Sequence, residues 1–162
     1  MDTTPSSGTP EDFMMRAIEL AREGVRRGDG GPFGAVITRH GTIVGEGWNQ
    51  VLSRNDPTAH GEVMAIRDAC ARLGTFALAD CEIYTTGQPC PMCLGAIYWA
   101  RLRAIHFGFG IDDAAAIGFD DREFFTQMAL PAARRRVPET RLCGEAALAL
   151  AREYAAQPRP AY

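Results

Sequence analysis

Several features that would assign a function class are missing from this sequence. No apolar run approaches the roughly 20 residues that a membrane-spanning helix needs, so no span is expected. The opening residues, MDTTPSSGTPED, have neither a basic n-region nor an apolar h-region. They are not read as a secretory signal, and the chain reads as cytoplasmic. Positive charge is not in surplus: the formal net charge is -3. That excludes an overall basic field able to capture nucleic acid or an anionic membrane. The short basic stretch ARRRV at 133–137 is read as a solvated face. Five cysteines is an odd number, and in a reducing compartment no disulfide framework is expected. Neither an internal repeat nor a linker interrupts the chain. With 162 residues, 46% hydrophobic and 23% charged, residues 1–162 are expected to form one domain around one core.

Local patterns give an element order. Residues 1–9 read as a loose tail. Thr9 caps a helix that has Pro10 at its first position, Glu11 and Asp12 in its first turn and Gly28 as its stop. A glycine-rich loop leads to a strand over 35–39, a tight turn at His40-Gly41 and a second strand over 42–48. The turn chemistry of RNDPTAH opens a helix over about 59–73. Then come a strand over 81–86, an apolar helix over 91–101 and a strand over 104–109. GIDDAAAIGFDDREFF reads as mixed loop and short helix, and residues 145–156 as an amphipathic helix. Strands alternating with helices imply an α/β fold, a mixed sheet with helices on its faces.

Two short stretches carry chemistry. His60 and Glu62 stand two residues apart at a helix start, and Cys90 and Cys93 stand at another, in PCPMC. A catalytic zinc takes three protein ligands and leaves a fourth position for water. Thiolates at a helix N-terminus suit such a site. The third ligand must be a histidine, and the chain has three. His40 falls in the hairpin turn and is expected to be exposed. His106 falls in a strand and is expected to be half-buried and structural. His60 remains, with Glu62 placed to take the proton of the water. The blander readings are a redox C-x-x-C pair and a solvated helix start. A structural zinc would need four ligands, and only three are evident. Cys70, Cys81 and Cys143 read as buried small hydrophobes, and Trp99 as core. H-x-E followed by P-C-x-x-C is the known signature of zinc nucleobase deaminases.

With HGE at 60–62, PCPMCLGAIYWAR at 89–101, GGPFGAVI at 30–37, NDPTAH at 55–60, AIRDAC at 65–70 and GFDD at 118–121, the chain resembles the cytidine deaminase-like superfamily. Within it, it is most similar to the bacterial guanine deaminases. The resemblance implies a three-layer α/β/α sandwich around a mixed five-stranded sheet and one zinc-dependent deaminase domain. It implies hydrolysis of guanine to xanthine and ammonia. It also implies a homodimer in which residues 144–162, the C-terminal helix and tail, cross to the partner. By motif, His60, Cys90 and Cys93 would bind Zn2+ and Glu62 would shuttle protons. Asn49 would hydrogen-bond the purine, Phe33 would pack on its ring, and Tyr162 would close the pocket. Asp121 would accept from the donor face of guanine, which discriminates strongly against bases lacking those donors.

Two positions depart from the family pattern. Gly61 stands where alanine is usual and is expected to enlarge the substrate space beside the metal. Gln88 stands where glutamate is usual and removes a charge before Pro89. They admit other amino-heterocycles or nucleosides as substrates: guanosine, ammeline, cytosine or a pterin. A tRNA adenosine deaminase is a further reading, opposed by the acidic net charge. An inactive zinc-binding module is opposed by the retained Glu62.

Overall fold

The hairpin formed by the first two strands is the frame on which the rest is built. The computed structural model describes residues 7–159 and 162. In it β1 (Gly34–Arg39) and β2 (Thr42–Trp48) pair antiparallel. Their turn uses His40 at φ 50° and Gly41 at φ 74°, the left-handed pair that matches strand twist in a two-residue hairpin. On its other side β1 pairs antiparallel with β3 (Cys81–Gly87), and β3 pairs parallel with β4 (Ala104–Phe109). The described residues therefore make a mixed four-stranded sheet, in the order β2-β1-β3-β4.

Side chains alternate across β1 and β3 as the pleat demands. Val36 and Tyr84 face α1 (Pro10–Arg27) and pack with Phe13, Ala17 and Leu20. Ala35, Ile37 and Ile83 face the opposite way. They join Ala65 and Ala69 of α3 (Gly61–Leu73) and Ile97 of α4 (Pro91–Trp99). Helices thus cover both faces, as alternating strands and helices require. Ile37, Leu78 and Ile83 are fully buried, each contributing roughly 1.5–3 kcal/mol of transfer free energy.

Close approach governs the α3 side. A Cβ on Gly47 would lie 2.3 Å from the Ala65 nitrogen and 2.4 Å from the Gly61 oxygen, and one on Gly45 would lie 2.6 Å from Ala69 Cβ. The helix therefore lies directly on the backbone of β2.

Some expectations need correction. Residues 7–9 are not loose: Ser7 bridges to Thr42, and Gly8 N–H donates to Gly41 O at 3.2 Å. Thr9 and Asp12 form a reciprocal capping box; residues 1–6 lie outside the described residues. α3 begins at Gly61, with His60 as its N-cap. A short helix, α2 (Val51–Arg54), occupies part of the expected turn. Trp99 is 70% exposed rather than core: α4 is apolar all round, and its geometry buries only Cys93 and Ile97. Cys143 is exposed, while Cys81 is buried and Cys70 half-buried. His40 is exposed, as expected. His106 is exposed too, yet structural: its ring stacks on Tyr84 at 4.4 Å, and Nε2 lies 3.0 Å from a Glu82 carboxylate oxygen.

The chain divides into two compact units, Met1–Asp121 and Arg122–Tyr162. The first ends with α5 (Ile111–Ala116) and the GFDD loop. The second holds α6 (Arg122–Ala129), a 3-10 turn (Ala132–Arg134) and α7 (Gly144–Ala155). Its basic stretch is solvated and ion-paired, Arg135 with Glu139 and Arg136 with Glu123. No described helix is long and apolar enough to cross a membrane.

Gly47→Ala is expected to lower the stability to chemical denaturation by about 1–3 kcal/mol, because the added methyl meets helix backbone that cannot step aside. An unchanged midpoint would show that α3 does not depend on this approach.

Candidate metal centre and base pocket

Two helix starts face each other to make the site. His60 and Cys90 are the N-caps of α3 and α4, both in extended conformation. Pro91 takes the first position of α4, where a missing N–H costs nothing. Cys93, two residues further, turns inward and is fully buried. His60 Nδ1 lies 3.6 Å from Cys90 Sγ and 3.5 Å from Cys93 Sγ. All three donor atoms fall within 4.8 Å of one another. A tetrahedral zinc, with Zn–S of about 2.3 Å and Zn–N of about 2.0–2.1 Å, has S···N edges of about 3.5–3.6 Å. The donor set fits zinc in both chemistry and spacing.

The two thiols differ. Hydrogen bonds from Cys93 and His60 pull the Cys90 thiol down to about 4. Its hydrogen bond to Cys90, reinforced by burial, pushes the Cys93 thiol far up. Pairing with Cys90 raises the His60 imidazole. Glu62 is only 5% exposed and lies within hydrogen-bonding reach of Cys93. Burial raises its carboxyl above the ordinary range, so it holds a proton more readily than a surface glutamate.

Around this cluster stand most of the other residues singled out in the sequence. Asp121 belongs to the first unit and is close enough to Cys90 and His60 to feel both charges; burial first, then Cys90, raises its carboxyl. Among the described residues, its buried Oδ1 finds no hydrogen-bond partner. Asn49 is buried, with Oδ1 accepting from Val51 N–H at 3.2 Å. Its amide nitrogen is thereby oriented as the donor end. Phe33 is fixed by its neighbours: Thr86 Oγ1 donates to Pro32 O and accepts from Gly34 N–H, each at 3.1 Å.

Gly61 does not border extra space beside the metal. A Cβ there would lie 2.9 Å from the Phe33 carbonyl oxygen. That oxygen also accepts from Asn49 N–H at 2.8 Å. The glycine thus serves a backbone approach. Gln88 is exposed, its N–H donating to Phe109 O at 2.9 Å; the charge missing there is a solvent-facing one. Tyr162 lies in the second unit and is 70% exposed.

Two aromatic residues went unnoticed in the sequence. The Phe33 ring packs against Phe109 at 5.8 Å and edge-on against Phe119 at 4.9 Å. The only trace of them in the chain is the pair of glycines that make room for the rings, Gly31 and Gly87.

Residues 7–109 match the model of the cytidine and deoxycytidylate deaminase zinc-binding region. The chain belongs to this family: it is a zinc-dependent aminohydrolase. Over 128 residues it is 54% identical to the guanine deaminase of Bacillus subtilis (strain 168), which covers 79% of this chain and 82% of that one. The X-ray structure of guanine deaminase from Bacillus subtilis superposes with a TM-score of 0.91 at 45% identity, over 96% of this chain and 99% of that one. A protein solved in complex with 2,6-diaminopurine is 33% identical, with a TM-score of 0.69 over 99% of this chain and 89% of that one.

At neutral pH, metal-stripped protein carries a thiolate at Cys90, a thiol at Cys93 and a His60 whose proton is held above its usual range. Zinc needs all three deprotonated, so binding at pH 7 is expected to release between about one and two protons. The number falls towards one as pH rises through the raised His60 range, because the imidazole has then already lost its proton. Calorimetry in buffers of different ionisation enthalpy reads this count. No release, or more than two, would contradict these assignments.

Proposed function

We propose that the protein hydrolyses the free purine base guanine to xanthine and ammonia, with His60, Cys90 and Cys93 holding the zinc. The observation that carries this reading is the pair of carboxyl groups beside the three donors. Glu62 is buried and disposed to hold a proton, and Asp121 offers a buried acceptor that has no partner within the described residues. Zinc, when bound, supplies Lewis-acid activation of the hydrolytic water.

Glu62 would take a proton from the water as its oxygen bonds to C2 of guanine, and would deliver that proton to the 2-amino nitrogen, which leaves as ammonia when the C2–N bond breaks. Burial makes this exchange effective, since a raised carboxyl lies closer to the working pH than a surface glutamate. Asp121 accepts from the donor edge of guanine; a buried acceptor left unpaired by another base carries a penalty, which is how the site rejects it. Asn49 donates from its amide nitrogen to an acceptor on the purine. Phe33 forms the apolar wall that a flat base needs. Gly61 keeps that wall against the start of α3.

We further infer one deaminase domain acting in the cytoplasm as a homodimer. Residues 144–162 cross to the partner, where Tyr162 closes the pocket. The exposed apolar side chains of α7, Leu148, Leu150 and Tyr154, support a partner for that segment. A fifth strand, as the resemblance implies, would add to the free edge of β4.

The test is ammonia release by the zinc-loaded protein from guanine, guanosine, adenine, cytosine and ammeline. Guanine is expected to turn over. Glu62→Ala should lose at least about 10²–10⁴-fold in rate while keeping its zinc. Asp121→Asn should lower kcat/KM on guanine about ten- to hundred-fold, the value of a hydrogen bond to a charged group. Silence on guanine with turnover of another ring would overturn the substrate and leave the class intact.

A further inference from the structure

The loop carrying Asp121 is held at two points before it reaches the site. At the end of α5, Gly118 adopts φ 97°, a conformation side chains rarely take. Its N–H donates to Ala115 O, and Phe119 N–H donates to Ala114 O, each at 3.0 Å. These bonds set the direction in which the chain leaves the helix. The Phe119 ring then stands edge-on against Phe33, at 85°.

This packing depends on a missing side chain. A Cβ on Gly31 would lie 2.7 Å from Phe119 Cζ and 3.0 Å from Phe33 Cε2. The ring therefore occupies the place an alanine would need. Phe33 cannot retreat from the contact easily. Thr86 ties the chain on both sides of it. Phe109 flanks its ring, and Gly87 leaves room for both, since its Cβ would be 2.9 Å from Phe109 Cε2 and 3.1 Å from Phe33 Cε1.

Two residues after Phe119 comes the Asp121 carboxylate, half-buried, with Oδ1 unpartnered among the described residues. Nothing in its own hydrogen bonding holds that oxygen in place. Among the described residues the carboxylate is bonded only to its own backbone N–H, so the direction of the chain leading to it decides where it points.

We propose that Phe119 is a positioning residue: its ring, wedged over Gly31 against Phe33, fixes the Asp121 carboxylate where it meets the base. This rests on the reading of Asp121 as the group that recognises guanine. Phe119 acts through Asp121, and it also links that carboxylate to the Phe33 wall, so the two parts that orient the base move together.

The experiment is a double-mutant cycle on guanine turnover with zinc-loaded protein, using Phe119→Ala, Asp121→Asn and the pair, together with crystal structures of the wild type and Phe119→Ala. Phe119→Ala is expected to lower kcat/KM about ten- to hundred-fold, the cost of misplacing a binding group, with zinc content unchanged. In the Asp121→Asn background the same change should cost little, because the group it positions is already lost. Phe119→Tyr, which keeps the ring, should restore most of the activity. Gly31→Ala, whose Cβ would press on Phe119 Cζ, should reproduce the loss with Phe119 itself unmutated. In the crystals, Asp121 should be displaced in Phe119→Ala.

An equal loss in both backgrounds, or failure of Phe119→Tyr to rescue, would overturn the proposal. So would an Asp121 that stays in place in the Phe119→Ala crystal, a readout that needs no turnover. If wild type fails on guanine while Asp121 does move in the variant, the substrate reading fails and the positioning stands.

Discussion

The absence of side chains between α3 and β2 is the constraint on which the site depends. Gly45 and Gly47 let the helix backbone rest on the strand backbone, at distances no Cβ could tolerate. The axis of α3 is fixed by this contact, and so is its first turn, where His60 caps the helix and Glu62 is buried. One backbone atom then ties that turn to the base pocket. The Phe33 carbonyl oxygen accepts from Asn49 N–H and lies where a Gly61 side chain would be. Phe33, Asn49 and the turn that carries Glu62 thus share one anchor. A small shift in any of them reaches the others, because packed backbone does not yield as a flexible side chain does.

Electrostatics gives the chemically identical side chains of Cys81, Cys90 and Cys93 different characters. Burial, with Asp80 nearby, pushes the Cys81 thiol up to about 11, which makes it an inert core residue. Cys90 sits at a helix N-terminus beside His60 and receives hydrogen bonds from Cys93, which brings its thiol to about 4. The same residue type is therefore inert filler in one place and, in another, a thiolate of the kind a metal takes as ligand. Glu62 and the surface carboxylates diverge in the opposite sense. Asp12, exposed and bonded to Thr9, is held below its ordinary range, whereas buried Glu62 is raised. A carboxyl raised by burial is better suited than a lowered one to take and return a proton.

What could be read from the sequence was local. H-x-E and P-C-x-x-C each lie within one helix start, so spacing alone brings their side chains to one end of a helix. The hairpin was equally legible, since His40-Gly41 satisfies the left-handed turn by itself. Features that depend on three-dimensional company were not. α4 is apolar on every side, so its pattern identifies no buried face, and nothing in it marks Trp99 as the exposed residue it is. Cys143 looked like a small hydrophobe by type, but it occupies a left-handed backbone position at the start of α7. The stack of Phe33, Phe109 and Phe119 joins residues up to 86 positions apart, and no periodicity spans such a gap. The residues proposed to do the chemistry can be named from spacing, while those that would hold them cannot.

Gly61 shows how a departure from a family pattern can mislead when read as a change of volume. A lost methyl beside a metal suggests a larger pocket. In the fold, the missing Cβ points at the Phe33 carbonyl, 2.9 Å away, tighter than real Cβ contacts tolerate. An alanine here would oblige the strand entry or the helix to give way by a few tenths of an ångström. The glycine therefore brings the aromatic wall and the start of α3 closer together. It acts on the spacing between Phe33 and the first turn of α3 and leaves the His60, Cys90 and Cys93 donors alone, since a methyl at residue 61 points at the Phe33 carbonyl and not at them. The smaller residue permits a close backbone approach and does not open a pocket.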